Sequence, residues 1–502
     1  MSAFIQGCIM AFAPKTLFAI LIGVMGGVII GALPGLSSTL GVALLVPFTF
    51  GLDPVTAMGL LGGMYCSSIY GGSITAILIN TPGTGAAAAT VLDGYPMAKK
   101  GRAGKALYVS IVSSFIGGTF STLMLLFIAP QLAKISLFFG PPETFMLSLF
   151  GITIIASVSG KDLSKGIIAG LIGLLLSTIG FDATTGYPRF TFGNINLYEG
   201  IPLVVAIVAF FSIPEVLMLV KNGSTKTEGN QTSGMIASDR KANMLSLKEV
   251  KTLIPIWLKS AIIGTFIGII PGVGTPVACF VSYNEAKRSS KHPDLFGTGI
   301  IEGVAAPETA NNAVEGGSFV PLLTLGIPGS AQTAVYLGAL MILGIKPGPE
   351  LFTRQGSLFY AIIMGLFIAN LVMLLLGVWG IKYFEKLIQL PSTIMIPIIL
   401  VFTVVGSFAI NENVFDVFLM LVLGIIGYFM RLNGLPLAAT VLAMILGPIG
   451  EEAMIQTISI THGQIWQLFT RPICLVLLVI TILSVVMTAR QHNNEKKASH
   501  KS

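Results

Sequence analysis

The sequence predicts an all-α polytopic membrane protein with two inverted-topology repeats and Pro-Gly-broken or re-entrant helices. Three observations lead to this prediction: an apolar composition, a duplicated series of motifs, and basic loops whose positions differ between the two copies. The 502 residues are 54% hydrophobic and 10% charged, against about 25% charged residues in an ordinary soluble domain. So few charges cannot cover a soluble surface, and the long continuous apolar runs are typical of bilayer-spanning helices rather than barrel strands.

The charge pattern and the absent motifs exclude several function classes. The net charge of +7 does not indicate nucleic-acid binding, because most basic residues gather in short polar stretches, as in cytoplasmic loops of membrane proteins. The four cysteines are far apart and show neither a disulfide framework nor zinc-ligand spacing. The sequence has no P-loop, no HExxH motif and no basic leader followed by a cleavage site. We therefore expect no cofactor and no enzymatic activity.

A polar segment divides the apolar segments into two groups. We expect a first transmembrane repeat at 1–220, a cytoplasmic linker at 221–251, a second transmembrane repeat at 252–489 and a cytoplasmic tail at 490–502. Several apolar segments are too short to span a bilayer or are interrupted by Pro-Gly, so hydropathy does not give the number of helices.

The two groups carry the same motifs in the same order. GALPGL at 31–36 matches GIIPGV at 268–273, and GGSITAILINTPGT at 71–84 matches GGSFVPLLTLGIPGS at 316–330 with one residue of drift. Each half therefore has a first Pro-Gly element, a Gly-Gly-Ser segment and a second Pro-Gly element. This order indicates an internal duplication.

The basic loops indicate opposite orientations for the two halves. After the first Pro-Gly element, 50–56 has no Lys or Arg, whereas 284–294 has three. After the second element the order reverses, with four basic residues in 99–105 and two in 346–356. Basic loops remain in the cytoplasm, so equivalent loops are expected on opposite sides of the membrane. Inverted repeats of this kind are typical of secondary transporters.

The Pro-Gly pairs and their polar neighbours are the candidate substrate site. Proline removes a backbone donor and glycine permits non-helical dihedral angles, so each pair should interrupt a helix. Helices that start after such breaks direct backbone N–H groups toward the break and favour an anion there. Carbonyl groups at the opposite ends could hold Na⁺, although no metal site is firmly indicated. The candidate substrate-binding residues are Gly35, Ser37, Ser38, Thr39, Asn80, Thr81, Gly83, Thr84, Gly272, Gly274, Thr275, Gly329 and Ser330.

A second polar cluster is GVAAPETANNA at 303–313. An ionisable residue within a membrane is a functional hypothesis by default, so we expect Pro307, Glu308, Asn311 and Asn312 to couple an ion or to shape the site. The alternative is a surface loop with a solvated Glu308. Glu302 and Glu315 are weaker candidates, because either could mark a helix end.

At this point the motifs resemble a known family. GALPGLSSTLGVALLVP, YGGSITAILINTPGT, DGYPMAKKGRAGKAL, GIIPGVGTP, GVAAPETANNA and GGSFVPLLTLGIPGS are similar to segments of the large membrane subunit of the tripartite tricarboxylate transporters. The similarity extends over nearly the whole chain.

The resemblance implies a subunit of the bacterial inner membrane that works with a small four-helix membrane subunit and a periplasmic substrate-binding protein. It also implies import of citrate, other tricarboxylates or related organic anions, driven by Na⁺ or H⁺ without ATP hydrolysis. Membrane lipid is a further expected partner, and nucleic acid is not. Two alternatives stay open, namely an autonomous ion-coupled organic-anion symporter and, with less support, a membrane-embedded enzyme.

Overall fold

The computed structural model describes residues 2–33, 35–136, 138–158, 163–182, 185–222, 243–387 and 392–483. Pro34, most of the predicted linker and the predicted tail lie outside the described residues. The helices are α1 (Ala3–Ala11), α2 (Pro14–Gly31), α3 (Ser38–Leu45), α4 (Pro54–Ile79), α5 (Ala88–Lys99), α6 (Ala103–Ser136), α7 (Pro141–Val158), α8 (Leu163–Ser177), α9 (Leu203–Asn222), α10 (Leu247–Ile269), α11 (Thr275–Ser289), α12 (Ile301–Leu325), α13 (Ala331–Ile342), α14 (Pro349–Arg354), α15 (Gly356–Leu387), α16 (Ser392–Asn411), α17 (Val414–Leu432), α18 (Leu437–Ile460) and α19 (Pro472–Leu483).

Short elements connect these helices. Two strands, β1 (Gly180–Phe181) and β2 (Pro188–Arg189), pair antiparallel between α8 and α9. The 3₁₀ turns are Val46–Thr49, Gly85–Ala87, Ile195–Leu197, Pro293–Leu295 and Ile465–Thr470.

Eight helices in the described part of the chain are long and apolar enough to cross a membrane, namely α2, α6, α9, α10, α15, α16, α17 and α18. A helix of 18 or more apolar residues is about as long as the hydrocarbon core is thick. The prediction of an all-α polytopic membrane protein is therefore confirmed.

The helices α4 and α12 form the centre of the fold. Every residue from Val55 to Leu78 in α4 is buried, and so is every residue from Gly303 to Thr324 in α12. A helix that is buried on all sides must lie among other helices. The second helix excludes the alternative of a surface loop for 303–313, because this segment is buried and continues without a break into the apolar sequence that follows.

Glycines bring α2 onto α4 and α10 onto α12 in matching ways. A Cβ atom at Gly31 would lie 2.2 Å from the carbonyl oxygen of Ser68 in α4. A Cβ atom at Gly268 would lie 2.6 Å from the carbonyl oxygen of Val314 in α12. Only glycine permits backbones to approach so closely. The matching glycines of the duplicated motifs, Gly31 and Gly268, thus make equivalent close contacts in the two halves.

The ends of the two central helices also match. The residues that follow α4 and α12 directly, Asn80 and Gly326, are both in the left-handed conformation, with φ of 57° and 72°. The packing of the longer helices is reciprocal as well: α4 packs on α15 while α12 packs on α6, and α9 packs on α17 while α18 packs on α8. These two contacts made by elements of one half therefore have counterparts in the other, as in a self-complementary interface.

Side-chain hydrogen bonds fix the starts of two helices. α10 begins at Leu247, within the predicted linker, because Ser246 and Glu249 form a capping box that fixes the helix start. The Ser2 side chain caps the first short helix, α1. Both starts depend on local side-chain hydrogen bonds, which hydropathy does not detect.

Candidate functional site

The regions around all four Pro-Gly pairs contribute to one cavity of about 380 Å³, here called the Pro-Gly cavity. This volume lies within the range of small-molecule sites. Its lining residues are Gly35, Leu36, Ser37, Ser38, Ile69, Pro82, Gly83, Thr84, Gly85, Ala86, Glu215, Thr275, Pro276, Asn311, Gln332 and Arg431. The structure thus brings together seven of the predicted residues: Gly35, Ser37, Ser38, Gly83, Thr84, Thr275 and Asn311.

Two helices start at the cavity, one from each half. α3 begins at Ser38, and the Ser37 hydroxyl accepts a hydrogen bond of 3.1 Å from the Leu40 N–H. α11 begins at Thr275 without a side-chain cap, after Gly274 with φ of 81°. The uncapped N–H groups at the start of α11 remain available to an anion, and the partial positive charge of both helix ends favours one.

Polar atoms without partners line the same cavity. The Thr84 hydroxyl and both side-chain polar atoms of Asn311 are buried and have no hydrogen-bond partner among the described residues. An unsatisfied buried polar group costs about 1–3 kcal/mol. A ligand that accepts from the Asn311 amide and the Thr84 hydroxyl would remove part of this cost.

Other predicted residues lie away from the cavity lining. Asn80 and Thr81 are exposed, and the Thr81 hydroxyl donates to the Ile79 carbonyl at 3.2 Å. The Ser330 hydroxyl caps α13 and lies 3.1 Å from the Tyr65 hydroxyl. Thr39 is buried within α3.

The remaining predicted glycines shape the backbone beside the site. The Gly272 N–H donates to the Gly329 carbonyl at 3.2 Å, which joins the two Pro-Gly elements of the second half. Gly274 has a positive φ, as described above, and precedes α11 directly. None of these three glycines lines the cavity.

Glu308 forms a separate polar centre. Its carboxylate accepts hydrogen bonds from four hydroxyl groups, those of Ser73 at 2.6 Å, Ser110 at 3.0 Å, Ser114 at 3.2 Å, and Thr90. The residue is fully buried. The four donors come from α4, α5 and α6. Tertiary packing therefore brings the polar partners of Glu308 together from segments that are otherwise largely apolar.

The neighbours of Glu308 on α12 differ in whether their polar atoms have hydrogen-bond partners. Pro307 is buried in the helix interior. The Asn312 amide donates to the Cys66 carbonyl at 3.2 Å, while its carbonyl oxygen has no partner among the described residues. Glu315 is fully buried, and neither of its carboxylate oxygens has a hydrogen-bond partner within the residues that the structure describes. The face of α12 that carries these residues therefore holds polar atoms that packing leaves unpaired.

Sequence reasoning missed two charged residues of the Pro-Gly cavity. Glu215 on α9 and Arg431 on α17 both line it and form an ion pair. Each is an isolated charge in an apolar helix, and the pair is 216 residues apart in sequence. The one available signal was the rarity of charge inside membrane helices.

A larger cavity of about 870 Å³ lies elsewhere, beside the β1–β2 hairpin and α18. Three of its charged side chains bond to one another: Arg189 donates to both oxygens of Glu451, at 2.5 and 3.2 Å, and also pairs with Asp182. Seven of the predicted site residues line the smaller cavity and none lines the larger one, so we take the Pro-Gly cavity as the candidate site. Its hydroxyl, amide and backbone N–H donors suit a small anion.

The tripartite tricarboxylate transporter TctA family matches residues 17–442. The chain belongs to this family. The resemblance noted in the sequence is thereby confirmed, and the chain is a membrane component of a tripartite transporter, which implies partner subunits.

Two relatives come from Agrobacterium vitis. The chain is 39% identical over 478 residues to the "Uncharacterized 52.8 kDa protein in TAR-I ttuC' 3'region", covering 95% of this chain and 94% of that protein. It is 40% identical over 224 residues to the "Uncharacterized protein in TAR-II ttuC' 3'region", covering 45% of this chain and 93% of that protein. No solved structure matches the chain.

Proposed function

We propose that this TctA-family chain is the large transmembrane subunit of a secondary transporter that imports carboxylates across the bacterial inner membrane. Citrate, another tricarboxylate or a related organic anion is the expected substrate. The observation that carries the proposal is the convergence of all four Pro-Gly regions on one cavity whose Thr84 and Asn311 side chains have unpartnered polar atoms.

The chemistry of the cavity supports an anionic substrate. A multivalent carboxylate is costly to desolvate, so its site must supply many donors. The starts of α3 and α11, together with Ser38 and Thr84, offer such donors without binding so tightly that release fails.

Alternating access would follow from two inverted repeats that close on the substrate from opposite sides. The reciprocal packing of α4 on α15 and of α12 on α6 supports two equivalent halves. The different positions of the basic loops support their opposite orientation. In this proposal α3 and α11 are the re-entrant or broken elements that carry the site.

Coupling to a cation would supply the driving force. Glu308 and the unpartnered atoms of Asn312 lie in the centre of the fold, where an ionisable residue is a functional candidate. Na⁺ and H⁺ both suit oxygen-rich surroundings of this kind, so the experiment applies each gradient in turn.

The proposed partners are a small four-helix membrane subunit and a periplasmic substrate-binding protein that delivers the anion. The decisive experiment measures radiolabelled citrate uptake into proteoliposomes containing this chain and the small subunit, with and without the binding protein. An inward Na⁺ gradient and an inward H⁺ gradient are applied separately, followed by a panel of other carboxylates.

Uptake that requires all three proteins and one gradient would support the proposal. Uptake without the binding protein would favour the autonomous symporter instead. No uptake of any carboxylate under either gradient would refute the proposed function.

A matched pair of variants tests the cavity itself. Ser38→Ala removes a hydroxyl that lines the Pro-Gly cavity. Ser67→Ala removes an equally buried hydroxyl that donates to the Gly63 carbonyl at 2.7 Å and is not among the lining residues. We expect Ser38→Ala to reduce uptake about 2- to 10-fold at low substrate concentration, as for one lost hydrogen bond. Ser67→Ala should leave uptake unchanged.

A further inference from the structure

An ion pair forms part of the wall of the Pro-Gly cavity. Arg431, in the last turn of α17, donates from Nη1 to Oε2 of Glu215 in α9. The Glu215 side chain is 7% exposed and the Arg431 side chain is 38% exposed. The carboxylate is therefore held inside the protein, while more than a third of the Arg431 side chain is exposed.

The guanidinium of Arg431 is only partly used. Within the described residues it makes one hydrogen bond, to Glu215, although a guanidinium has five N–H donors. Arg189 differs, because it bonds both oxygens of Glu451 and pairs with Asp182 as well. Arg431 thus retains unused donors on a side chain that lines the candidate anion site.

The other groups that line the cavity complement the unused donors of Arg431. The starts of α3 and α11 and the Asn311 side chain border the same cavity. A planar guanidinium matches the two oxygens of a carboxylate better than a point charge does. Hydroxyls and backbone N–H groups alone would bind more weakly, because charge-assisted hydrogen bonds are roughly twice as strong as neutral ones.

We propose that the free edge of the Arg431 guanidinium binds a carboxylate of the transported substrate and that Glu215 positions this guanidinium. The assignment rests on the proposed function, since it names the cationic ligand of the same site. Glu215 has a second effect: its negative charge offsets that of Arg431, so that the empty cavity is close to neutral. A bound anion can then leave, which a transport site requires.

A second ion pair elsewhere in the chain provides a matched control. Glu143 is 3% exposed and Arg471 is 42% exposed, values close to those of Glu215 and Arg431. Arg471 Nη1 lies 2.9 and 3.2 Å from the two oxygens of Glu143. Neither residue lines the Pro-Gly cavity. The Glu143–Arg471 pair therefore has the burial and the charges of the Glu215–Arg431 pair but lies outside the Pro-Gly cavity.

The experiment compares uptake of citrate, or of the carboxylate that the wild-type system imports fastest, across two sets of variants. The first set is Arg431→Gln, Arg431→Lys, Glu215→Gln and the double variant Glu215→Gln with Arg431→Gln. The second set is Arg471→Gln and the double variant Glu143→Gln with Arg471→Gln. The amount of each variant in the membrane and its elution as a single species after purification are measured first.

We expect Arg431→Gln to raise the KM for uptake on the order of 10- to 100-fold, because this is the loss of affinity that follows from losing a hydrogen bond to a charged group. Arg431→Lys should retain part of the affinity, because it keeps the charge and loses the fork. Glu215→Gln should lower KM and lower the maximal rate, since the site then holds its anion more tightly.

The double variants separate a ligand from a structural counter-ion. If Arg431 binds substrate, the neutral Glu215→Gln, Arg431→Gln pair folds but keeps the raised KM. The neutral Glu143→Gln, Arg471→Gln pair should transport with the wild-type KM. Should Arg431→Gln alone fail to fold, the double variant and Arg431→Lys give the same information.

Two results would overturn the assignment while leaving the proposed function intact. One is a wild-type KM in Arg431→Gln, and the other is recovery of the wild-type KM in the neutral Glu215, Arg431 pair. Absence of carboxylate uptake by the complete wild-type system is a different result, and it would overturn the proposed function together with this assignment.

Discussion

Replacing Asn311 with leucine should make the protein more stable and less active. Asn311 is fully buried in α12, it lines the Pro-Gly cavity, and its amide has no hydrogen-bond partner among the described residues. Leucine has the same number of side-chain heavy atoms, branched at the same position, and no polar atoms. The substitution therefore removes the cost of the unpaired amide and, at the same time, removes donors and an acceptor from the site.

The size of the effect follows from these contacts. An unsatisfied buried polar group costs about 1–3 kcal/mol, and water in the cavity relieves part of that cost in the resting protein. We therefore expect Asn311→Leu to raise the free energy of unfolding by about 1–2 kcal/mol. Uptake at low substrate concentration should fall at least about 10-fold, because a bound carboxylate loses its contacts with the amide.

The assay combines two measurements on the same preparations. Thermal unfolding in detergent is followed with a thiol-reactive dye, which reports exposure of the buried Cys66, Cys279 and Cys474. Carboxylate uptake is measured in proteoliposomes with the partner proteins. A gain of 1 kcal/mol moves the unfolding midpoint by about 2–4 °C in a domain of 150–250 residues and by less in a longer chain.

Asn370→Leu is the control, since Asn370 is equally buried but satisfied. Its amide donates to the Leu366 carbonyl at 2.9 Å, and its carbonyl oxygen accepts from the Cys66 thiol at 3.3 Å. That variant should lower the midpoint. A fall of the same size in Asn311→Leu would show that Asn311 has a structural partner, and unchanged uptake would remove it from the site.

Three further predictions concern packing, the buried carboxylate and acid stability. Gly23→Ala would place a Cβ atom 2.1 Å from a backbone carbonyl oxygen of α4, so it should lower the free energy of unfolding by about 2 kcal/mol. Gly365→Ala, whose Cβ atom would have no neighbour closer than 3.9 Å, should not lower the unfolding midpoint. Equal midpoints for the two variants would contradict the close approach of α2 to α4. Glu308→Ala leaves four buried hydroxyls without their acceptor and should lower the midpoint more than Glu308→Gln does; the reverse order would refute the carboxylate's structural role. Burial by itself would raise the pKa of Asp53, but hydrogen bonds from Lys15 and the N-capped turn outweigh burial and hold the pKa below 3.8. This contribution to stability is therefore present above about pH 4 and lost as the pH falls through the folded pKa, so Asp53→Asn should flatten the acid limb of the stability curve relative to the wild type.

The sequence predicted the helices and their interruptions because both depend on local chemistry. Apolar runs of spanning length form helices in a bilayer whatever their neighbours are. The Pro-Gly pairs at 82–83, 271–272 and 328–329 lie between helices, as expected from a lost donor and permissive dihedral angles. The duplication also predicted that these elements would share a geometry.

Local sequence did not predict which residues of an element face the cavity. Asn80, Thr81 and Thr84 are close neighbours with similar chemistry. The left-handed turn at Asn80 leaves the first two exposed, and the third returns beside Gly72 of α4 to line the cavity. Such a choice depends on the path of the chain after the turn, which the order of residue types does not specify.

For the polar segment around Glu308, the sequence left a surface loop open as an alternative for a related reason. The segment's composition resembles a loop, yet it lies inside α12, because hydroxyl groups of α4, α5 and α6 satisfy the carboxylate. A polar residue can remain in a buried helix only when other elements supply its partners. The sequence contains those serines and a threonine but does not show that they meet.

By itself, the sequence determined the membrane class, the duplicated halves, the breaks and the family, because each is a property of short segments or of their order. Only the tertiary structure decided that the regions around four distant breaks enclose one cavity and that Arg431 and Glu215 meet in its wall. The physical reason is that desolvation and charge pairing act between atoms in contact. Contacts between helices that are distant in sequence are fixed by packing, through glycines such as Gly117, whose Cβ position lies 2.0 Å from the Thr309 carbonyl oxygen.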